Sequence, residues 1–413
     1  MDKPVEIVLT ALSYGGEAIG RYNGRAVFVP FALPGETVSA RIIEDRKNFA
    51  RAELVDVVKA SPERIAPRCQ HFGVCGGCHY QHLPYPAQLK LKTDILRDQL
   101  MRIGKIPDPP VQPIVASPQE WNYRNHVQFH VDQSGVLGFV AAANPEELIP
   151  IKECFLPEAA LNALWPTLEF EADSLVERVA LRAGMNDDLL LMLESDEVSP
   201  PELELEAGIS VVHLNPERDN SVVLAGDGYI AISVLERVFK VSAASFFQVN
   251  TAMAAKMVTH LLENLPVTAR TTLLDVYCGA GLFSAFFAPR VAKLIGIESA
   301  PSACEDFAVN LDEFDNVELY EGLAQEILPA LKISVDVAIV DPPRAGLDKA
   351  ALDALLRLKP QTLAYVSCDP STLARDAARL LAGGYHLKQV TPFDLFPQTY
   401  HIESISVFEA SPE

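Results

Sequence analysis

The sequence predicts a multidomain chain: a small N-terminal β-barrel, a central α+β segment organised around cysteines, and a C-terminal doubly wound α/β domain. Three observations carry this. Residues 4–60 alternate short β-type runs with turn signals, three cysteines crowd into ten residues just beyond, and from about residue 246 strands and helices alternate regularly. A chain of 413 residues is long enough for two or three domains with their own cores. Composition shifts divide it at 1–60, 61–245 and 246–413.

In the first segment, strands are expected near 4–12, 17–22, 25–30, 36–44 and 50–58. Gly15-Gly16, Asn23-Gly24 and Pro34-Gly35 punctuate them, and Asn-Gly is a strong hairpin signal. Five short strands in so few residues suggest an OB- or SH3-like barrel. Arg21, Arg25, Arg41, Arg46, Lys47 and Arg51 interleave with Tyr22, Phe28 and Phe49, a mixture suited to RNA and equally to a solvated barrel face. Ser61-Pro62 reads as a linker.

The next stretch, R-C-Q-H-F-G-V-C-G-G-C-H-Y, spaces its thiols as Cys69-x5-Cys75-x2-Cys78, with Cys154 available as a fourth. Its two glycines let the backbone turn tightly and aim amides at sulfur. Four thiolates suit an iron–sulfur cluster or structural zinc. The three-plus-one pattern favours iron–sulfur, while His71, His79 and His82 keep zinc open. Residues 86–102 read as an amphipathic helix with Leu89, Ile95, Leu96 and Leu100 on one face and Lys90, Lys92, Arg97 and Arg102 outward, available to phosphates. Residues 156–245 are acidic and strand-rich and suggest no chemistry.

From 246 the alternation runs helix 251–265, strand 272–278, a helix from 281, strand 292–298, helix 301–313, strand 316–321, helix 324–331, strand 335–341, helix 348–357, strand 362–368, helix 371–381, and strands 385–393 and 402–409. In such a sheet a ligand sits beyond the carboxyl ends of the central strands. Motifs fall at those ends. The first strand closes on Asp275-x3-Gly279-x-Gly281, with Ser284 where a dinucleotide loop would place a third glycine, so the loop suits S-adenosylmethionine instead. The next ends on Glu298, an acid placed for ribose hydroxyls, and the fourth on Asp341-Pro342-Pro343-Arg344.

The strand 362–368 ends at Ser367-Cys368-Asp369-Pro370, where Asp369 is a good N-cap and Pro370 a good first helical residue. A cysteine there reads as packing or as a thiolate favoured by the helix terminus, with Asp341 and Asp369 opposing it. Cys278 and Cys304 read as packing residues.

Charge narrows the partners. Residues 1–155 carry 17 basic and 17 acidic side chains, whereas 156–413 carry 17 against 38 and hold the whole net charge of −21. A polyanion therefore docks on the neutral N-terminal part if anywhere. No apolar run approaches the ~20 residues of a membrane span, and M-D-K-P-V-E lacks signal-peptide character. Seven cysteines without a disulfide pattern fit the cytoplasm.

D-P-P-R-A-G, S-C-D-P-S-T-L-A-R-D, F-F-Q-V-N and H-I-E together resemble the RNA uracil-C5 methyltransferases across essentially the whole chain. The cysteine pattern and barrel resemble the subgroup with a TRAM domain and a [4Fe–4S] cluster, chiefly 23S ribosomal RNA enzymes. The resemblance implies Cys368 as nucleophile and Glu403 as base. It places Gln248, Tyr277, Glu298 and Asp341 at S-adenosylmethionine, and Cys69, Cys75, Cys78 and Cys154 at the cluster. It implies a monomer acting on RNA, ribosomal before transfer RNA, with Arg124 of W-N-Y-R-N-H as an RNA contact. Leu282 departs from the family, where a polar residue is common.

Overall fold

The N-terminal strands β1 (Val5–Leu12), β2 (Ala18–Tyr22), β3 (Arg25–Val29), β4 (Thr37–Asp45) and β5 (Phe49–Lys59) close into a barrel in the order β1-β2-β3-β5-β4. The computed structural model describes residues 3–411 apart from 173, 198, 202–203, 205–207 and 216–219. Asp173, Glu202, Glu206, Glu217 and Asp219 of the acidic tract thus lie outside the described residues. Alternation fills the barrel: Ile7, Leu9, Val27, Val29, Val38 and Ala40 point inward, each at most 1 % exposed. Asn23 and Gly24 both take positive φ (51° and 80°), the two-residue turn whose twist matches its strands. Four of the basic residues singled out above are paired within the barrel: Arg25 with Asp45, Arg41 with Glu53, Arg46 with Glu44, and Arg51 with Glu17. Exposed pairs of this kind hold their partners weakly.

The linker is anchored. Buried Glu36 accepts from Arg64 Nε at 2.6 Å and from the Ser61 amide at 3.2 Å, fixing the chain as it leaves the barrel. Helix α1 (Tyr85–Arg102) follows. Ile95, Leu96 and Leu100 bury as expected, and Leu89 is half-buried. Lys92 corrects the expected outward face: it is wholly buried and its Nζ donates to Asp394 at 2.6 Å. Lys92 stands three and four residues before Ile95 and Leu96, so it shares their stripe, which packs on the C-terminal domain.

A mixed sheet occupies the middle of the chain, in the order β12-β11-β10-β9-β6-β7-β8. Its strands are β6 (His126–Val131), β7 (Leu137–Val140), β8 (Leu148–Pro150), β9 (Arg178–Ala183), β10 (Leu189–Glu194), β11 (Ser210–Asn215) and β12 (Asn220–Ala225). Helix α2 (Ala159–Leu164) covers it, around Trp165 and Phe129. The hairpin β13 (Tyr229–Val234) and β14 (Arg237–Ser242) shares a core with helix α3 (Thr251–Asn264). Asn250 caps α3 by accepting from the Met253 amide.

The C-terminal domain is the expected doubly wound sheet. Strands β15 (Thr272–Val276), β16 (Lys293–Glu298), β17 (Val317–Glu321), β18 (Val337–Val340) and β19 (Thr362–Ser367) alternate with α4 (Leu282–Phe287), α5 (Pro301–Asn310), α6 (Ala324–Ala330), α7 (Lys349–Leu358) and α8 (Pro370–Ala382). Strands β20 (Tyr385–Phe393) and β21 (Glu403–Ala410) complete the order β17-β16-β15-β18-β19-β21-β20. The order reverses between β15 and β18, which opens a crevice at their carboxyl ends. Strand β21 alone runs against β19, so its first residue lies at the edge where the parallel strands end. Ile95, Leu96 and Leu100 of α1 join Leu373, Ala374, Ala377 and Leu380 of α8 in one apolar cluster. Each fully buried leucine there contributes about 1.5–3 kcal/mol.

No helix among the described residues is long and apolar enough to cross a membrane.

Candidate active site

Asp275, at 0 % exposure on β15, is the deepest acid at the crevice. Ser284 Oγ donates to its Oδ2 at 2.6 Å, which accounts for a serine where a third glycine was absent. Asp275 Oδ1 is buried without a hydrogen-bond partner. The chain then turns sharply: Tyr277 takes φ 64° and donates its amide to Ile297 O at 2.8 Å. Gly281 has φ 89°, and a Cβ there would lie 2.4 Å from Leu311 Cδ1, so only glycine lets α5 approach. Around Gly279 the space is open within 4 Å, leaving the loop accessible.

Glu298 ends β16. Its Oε2 accepts from the Gly279 amide at 2.9 Å, and its Oε1 from Ser299 and Ala300 at 2.7 and 2.9 Å. Asp341 follows β18, and its amide donates to Val276 O at 3.1 Å. Burial first, then the Asp275 and Glu298 charges, push the Asp341 carboxyl up to about 7. Asp275 is likewise pushed up to about 7, mainly by burial. This concentration of negative charge suits a cation.

Gln248 lies 8 % exposed between β14 and α3. Asn125 of W-N-Y-R-N-H pins its backbone, donating from Nδ2 to Gln248 O at 3.1 Å and from its amide to Val249 O at 2.9 Å. Two motifs far apart in sequence thus hold each other.

Cys368 and Glu403 meet through strand register. Ser367 pairs with Ser404 across β19 and β21, which makes Cys368 and Glu403 the next opposed positions beyond the pair. Asp369 caps α8 as expected, its Oδ1 accepting from the Ser371 and Thr372 amides at 2.8 and 3.0 Å. The acids that oppose that terminus act on the sulfur, and Glu403 joins them. Burial first, then Glu403 and Asp341, push the Cys368 thiol up to about 12, and the Arg344 guanidinium only partly offsets them. Glu403, 4 % exposed, is raised well above the carboxylate range by burial and then Asp341, with Arg344 opposing. Arg344 is the charge both groups feel. The D-P-P-R run contained it, but its spacing gave it no role.

The loop from β20 to β21 carries Glu403 and is held from several sides. Lys92 bonds Asp394 and donates to Phe396 O at 3.0 Å, and Tyr123 Oη donates to Pro397 O at 3.0 Å. Gln88 Nε2 donates to Gln398 Oε1 at 3.0 Å, while the His79 and Tyr80 amides donate to Gln398 O at 2.9 and 3.0 Å. His79 and Tyr80 follow directly on Cys78, so the cysteine stretch touches the loop that bears the candidate base.

Cys69, Cys75, Cys78 and Cys154 line one cleft of about 1030 Å³ between the barrel and the central sheet, with Arg124 on its wall. The His71 amide donates to Cys69 Sγ and the Gly77 amide to Cys75 Sγ, both at 3.4 Å. Burial, with added influence of the other three sulfurs, pushes Cys78 up to about 12. Among the described residues no group of three or more His, Cys, Asp or Glu side chains is drawn together tightly enough to hold a metal ion. Arg68 stacks against Phe155 and Trp121, 4.2 and 5.2 Å from their ring centroids, and so joins the neighbours of Cys69 and Cys154. Cys278 and Cys304 are buried at 7 % and 5 % exposure, as packing residues.

A doubly wound sheet with an acid-lined crevice and a cysteine–glutamate pair at one edge is the plan of a methyltransferase. The family model described as tRNA (Uracil-5-)-methyltransferase matches residues 227–410, and that of the TRAM domain matches residues 3–55. A protein named an uncharacterized RNA methyltransferase in Aquifex aeolicus is 34% identical, covering 99% of both chains. Another of that description in Halalkalibacterium halodurans is 33% identical, covering 98% of this chain and 96% of its own. Among solved structures, the Pyrococcus abyssi tRNA (uracil-54, C5)-methyltransferase in complex with S-adenosyl-L-homocysteine superposes with a TM-score of 0.78 at 24% identity, covering 98% of this chain and 99% of that one. The chain belongs to a family of RNA methyltransferases, with a tRNA (Uracil-5-)-methyltransferase match over its C-terminal part and an N-terminal TRAM domain.

Proposed function

We propose that the protein methylates C5 of a uridine in RNA through a covalent bond between Cys368 and C6 of the base. The observation that carries the reading is the opposed placement of Cys368 and Glu403 at the edge where the acid-lined crevice opens. The crevice fits S-adenosylmethionine: the unpartnered Asp275 Oδ1, the raised Asp341 carboxyl and the open face at Gly279 suit a cationic ligand lying against the loop. Gln248, Tyr277, Glu298 and Asp341 would hold it. When bound, it supplies a methyl group on a sulfonium.

Cys368 adds its sulfur to C6, which turns C5 into an enolate-type carbon able to take the methyl group. Glu403 then removes the C5 proton, and the C6–S bond breaks to return the Cys368 thiolate. Burial and the neighbouring acids disfavour the ionised form of both groups in the isolated protein, so the Cys368 proton has to leave before the sulfur adds. Arg344, and a cation held beside Asp341, lower the cost of ionising them.

For Cys69, Cys75, Cys78 and Cys154 we infer a [4Fe–4S] site from the subgroup resemblance, and their shared cleft is compatible with it. Four thiols face one space with amides directed at two of them, and a cluster spreads its thiolates more widely than a single zinc does. The domains divide the work: 1–60 and 61–245 grip RNA, and 246–413 transfers the methyl group. Within the middle segment, α1 and the β13–β14 hairpin pack on the catalytic side. The target base is splayed out of folded RNA to reach the crevice.

Ribosomal 23S RNA is the expected target from the subgroup resemblance. A transfer-RNA uridine is the second reading. The Pyrococcus abyssi tRNA (uracil-54, C5)-methyltransferase shares this architecture across the whole chain, so architecture does not separate the two.

The test is incubation with labelled S-adenosylmethionine and RNA containing 5-fluorouridine, whose fluorine cannot leave as a proton, so the adduct is trapped. Wild type should trap and Cys368→Ala should not; trapping by the variant rejects the nucleophile. Glu403→Gln should accumulate adduct on ordinary RNA, and normal turnover by it rejects the base. Mapping 5-methyluridine in RNA from cells lacking the protein identifies the target.

A further inference from the structure

The turn between β1 and β2 of the barrel reaches the catalytic domain. Tyr14 projects from it, and its hydroxyl donates to the carbonyl oxygen of Cys368 at 3.4 Å across 354 residues of chain. Its ring meets Tyr400 edge-on at a centroid distance of 5.8 Å, and it packs against the apolar cluster that includes α8. The turn is pressed into place: at Gly16, φ 86°, a Cβ would lie 3.2 Å from His79 Cβ and 3.5 Å from Tyr400 Cβ. The turn closes on itself, with Ser13 and Glu17 joined by the Ser13 amide and hydroxyl at 2.9 and 3.0 Å.

From the other side, Ser367 holds the same three-residue corner. Its Oγ donates to Asp369 O at 2.9 Å and accepts from the Asp369 amide at 3.2 Å. The corner therefore has one clamp from its own strand and one from the barrel. The Asp369 carboxylate also lies against the Tyr14 phenol and, after burial, is the largest influence raising its pKa. The hydroxyl thus faces both the carbonyl of the nucleophile and the acid beside it.

We propose that Tyr14 of the barrel is a positioning residue for Cys368: its hydroxyl fixes the peptide from which the sulfur projects. The barrel then contributes to the chemical step as well as to RNA binding. This rests on Cys368 being the nucleophile. Addition of sulfur to C6 depends on approach geometry, and displacement by about 1 Å is enough to slow such a step up to a hundredfold. Losing one hydrogen bond of this type corresponds to about a three- to tenfold change.

Tyr14→Phe keeps the ring against Tyr400 and deletes only the hydroxyl. Three measurements on the full-length variant decide the matter: the rate of 5-fluorouridine adduct trapping at saturating RNA, the affinity for that RNA, and the pH profile of Cys368 alkylation by iodoacetamide in the free protein. The expected result is trapping about three- to tenfold slower, unchanged RNA affinity, and slower alkylation at each pH, because the peptide that bears the sulfur has lost its donor. Tyr14→Leu, which also removes the ring, should trap more slowly still, and thermal melting of both variants establishes that they are folded. A wild-type trapping rate and alkylation profile in Tyr14→Phe overturns the proposal. So does weaker RNA binding with an unchanged saturating rate, which makes Tyr14 an RNA contact. Adduct formation by Cys368→Ala is a separate outcome: it rejects the nucleophile, whatever Tyr14→Phe does to alkylation.

Discussion

Lys92 Nζ lies 2.6 Å from Asp394 Oδ1, and both side chains are wholly buried. The pair ties helix α1 to the loop that delivers Glu403. Removing one member leaves a buried charge without its counterion, which costs about 3–5 kcal/mol. Lys92→Ala is therefore expected to lower stability by that order in denaturant melts. The double variant Lys92→Met, Asp394→Leu should recover most of the stability, since apolar replacements of such pairs are well tolerated. It should still methylate RNA poorly, because the loop loses its anchor. Full activity in the stable double variant would show that the pair serves folding alone.

Cys368 offers a pH dependence with a definite sign. A thiol raised to about 12 is protonated throughout the neutral range. Its thiolate fraction rises roughly tenfold per pH unit until the pKa is reached. Alkylation of Cys368, followed by peptide mass spectrometry, should climb without a plateau between about pH 6 and 10. An ordinary thiol levels off near about pH 8.5. A plateau there would mean that burial and the neighbouring acids do not control the sulfur.

Asp341 opposes stability in the absence of a cation. Its carboxyl rises from the ordinary 3.8 to about 7 on folding, so the folded chain favours the protonated form. That contribution is complete below the unfolded pKa and is lost as pH rises through the folded one. Asp341→Asn should accordingly stabilise the ligand-free protein at pH 8 by on the order of 1–3 kcal/mol, and change little at pH 4. The same variant should bind S-adenosylmethionine weakly by calorimetry. Equal melting of the two proteins at pH 8 would count against the charge argument.

Arg68 joins the two halves of the cysteine site through Phe155 and Trp121. Each cation–π contact contributes about 0.5–2 kcal/mol according to its burial. Anaerobically purified wild type should carry about four irons per chain. Arg68→Ala should load less iron, surrender it faster to a chelator and melt a few degrees lower, whereas unchanged iron loading would count against this role. Stoichiometric zinc in wild type would replace the cluster reading altogether.

The alternation of apolar runs and turn residues was enough to place the barrel strands and the C-terminal elements, because each follows a local period. The site was legible where one residue type marks a strand end: Asp275, Glu298, Asp341 and Cys368 each stand at such a boundary. What escaped the sequence was contact between distant segments. Lys92 lies three and four residues before Ile95 and Leu96, on the stripe they bury, and its counterion in the β20–β21 loop is what no local period reveals. Tyr14 sits in a turn that looks like any hairpin connection, yet it reaches Cys368. The resting state of the thiol depends on Glu403 and Arg344, whose proximity no local pattern reveals.

The reversed direction of β21 has a consequence for biosynthesis. Because Glu403 opens β21, the proposed Cys368–Glu403 pair cannot form until that strand has left the ribosome and inserted beside β19. A nascent chain halted after α8 would display Cys368 without the acid across from it, and would hold RNA without completing the reaction. On the proposed mechanism, methyl transfer therefore requires synthesis through β21.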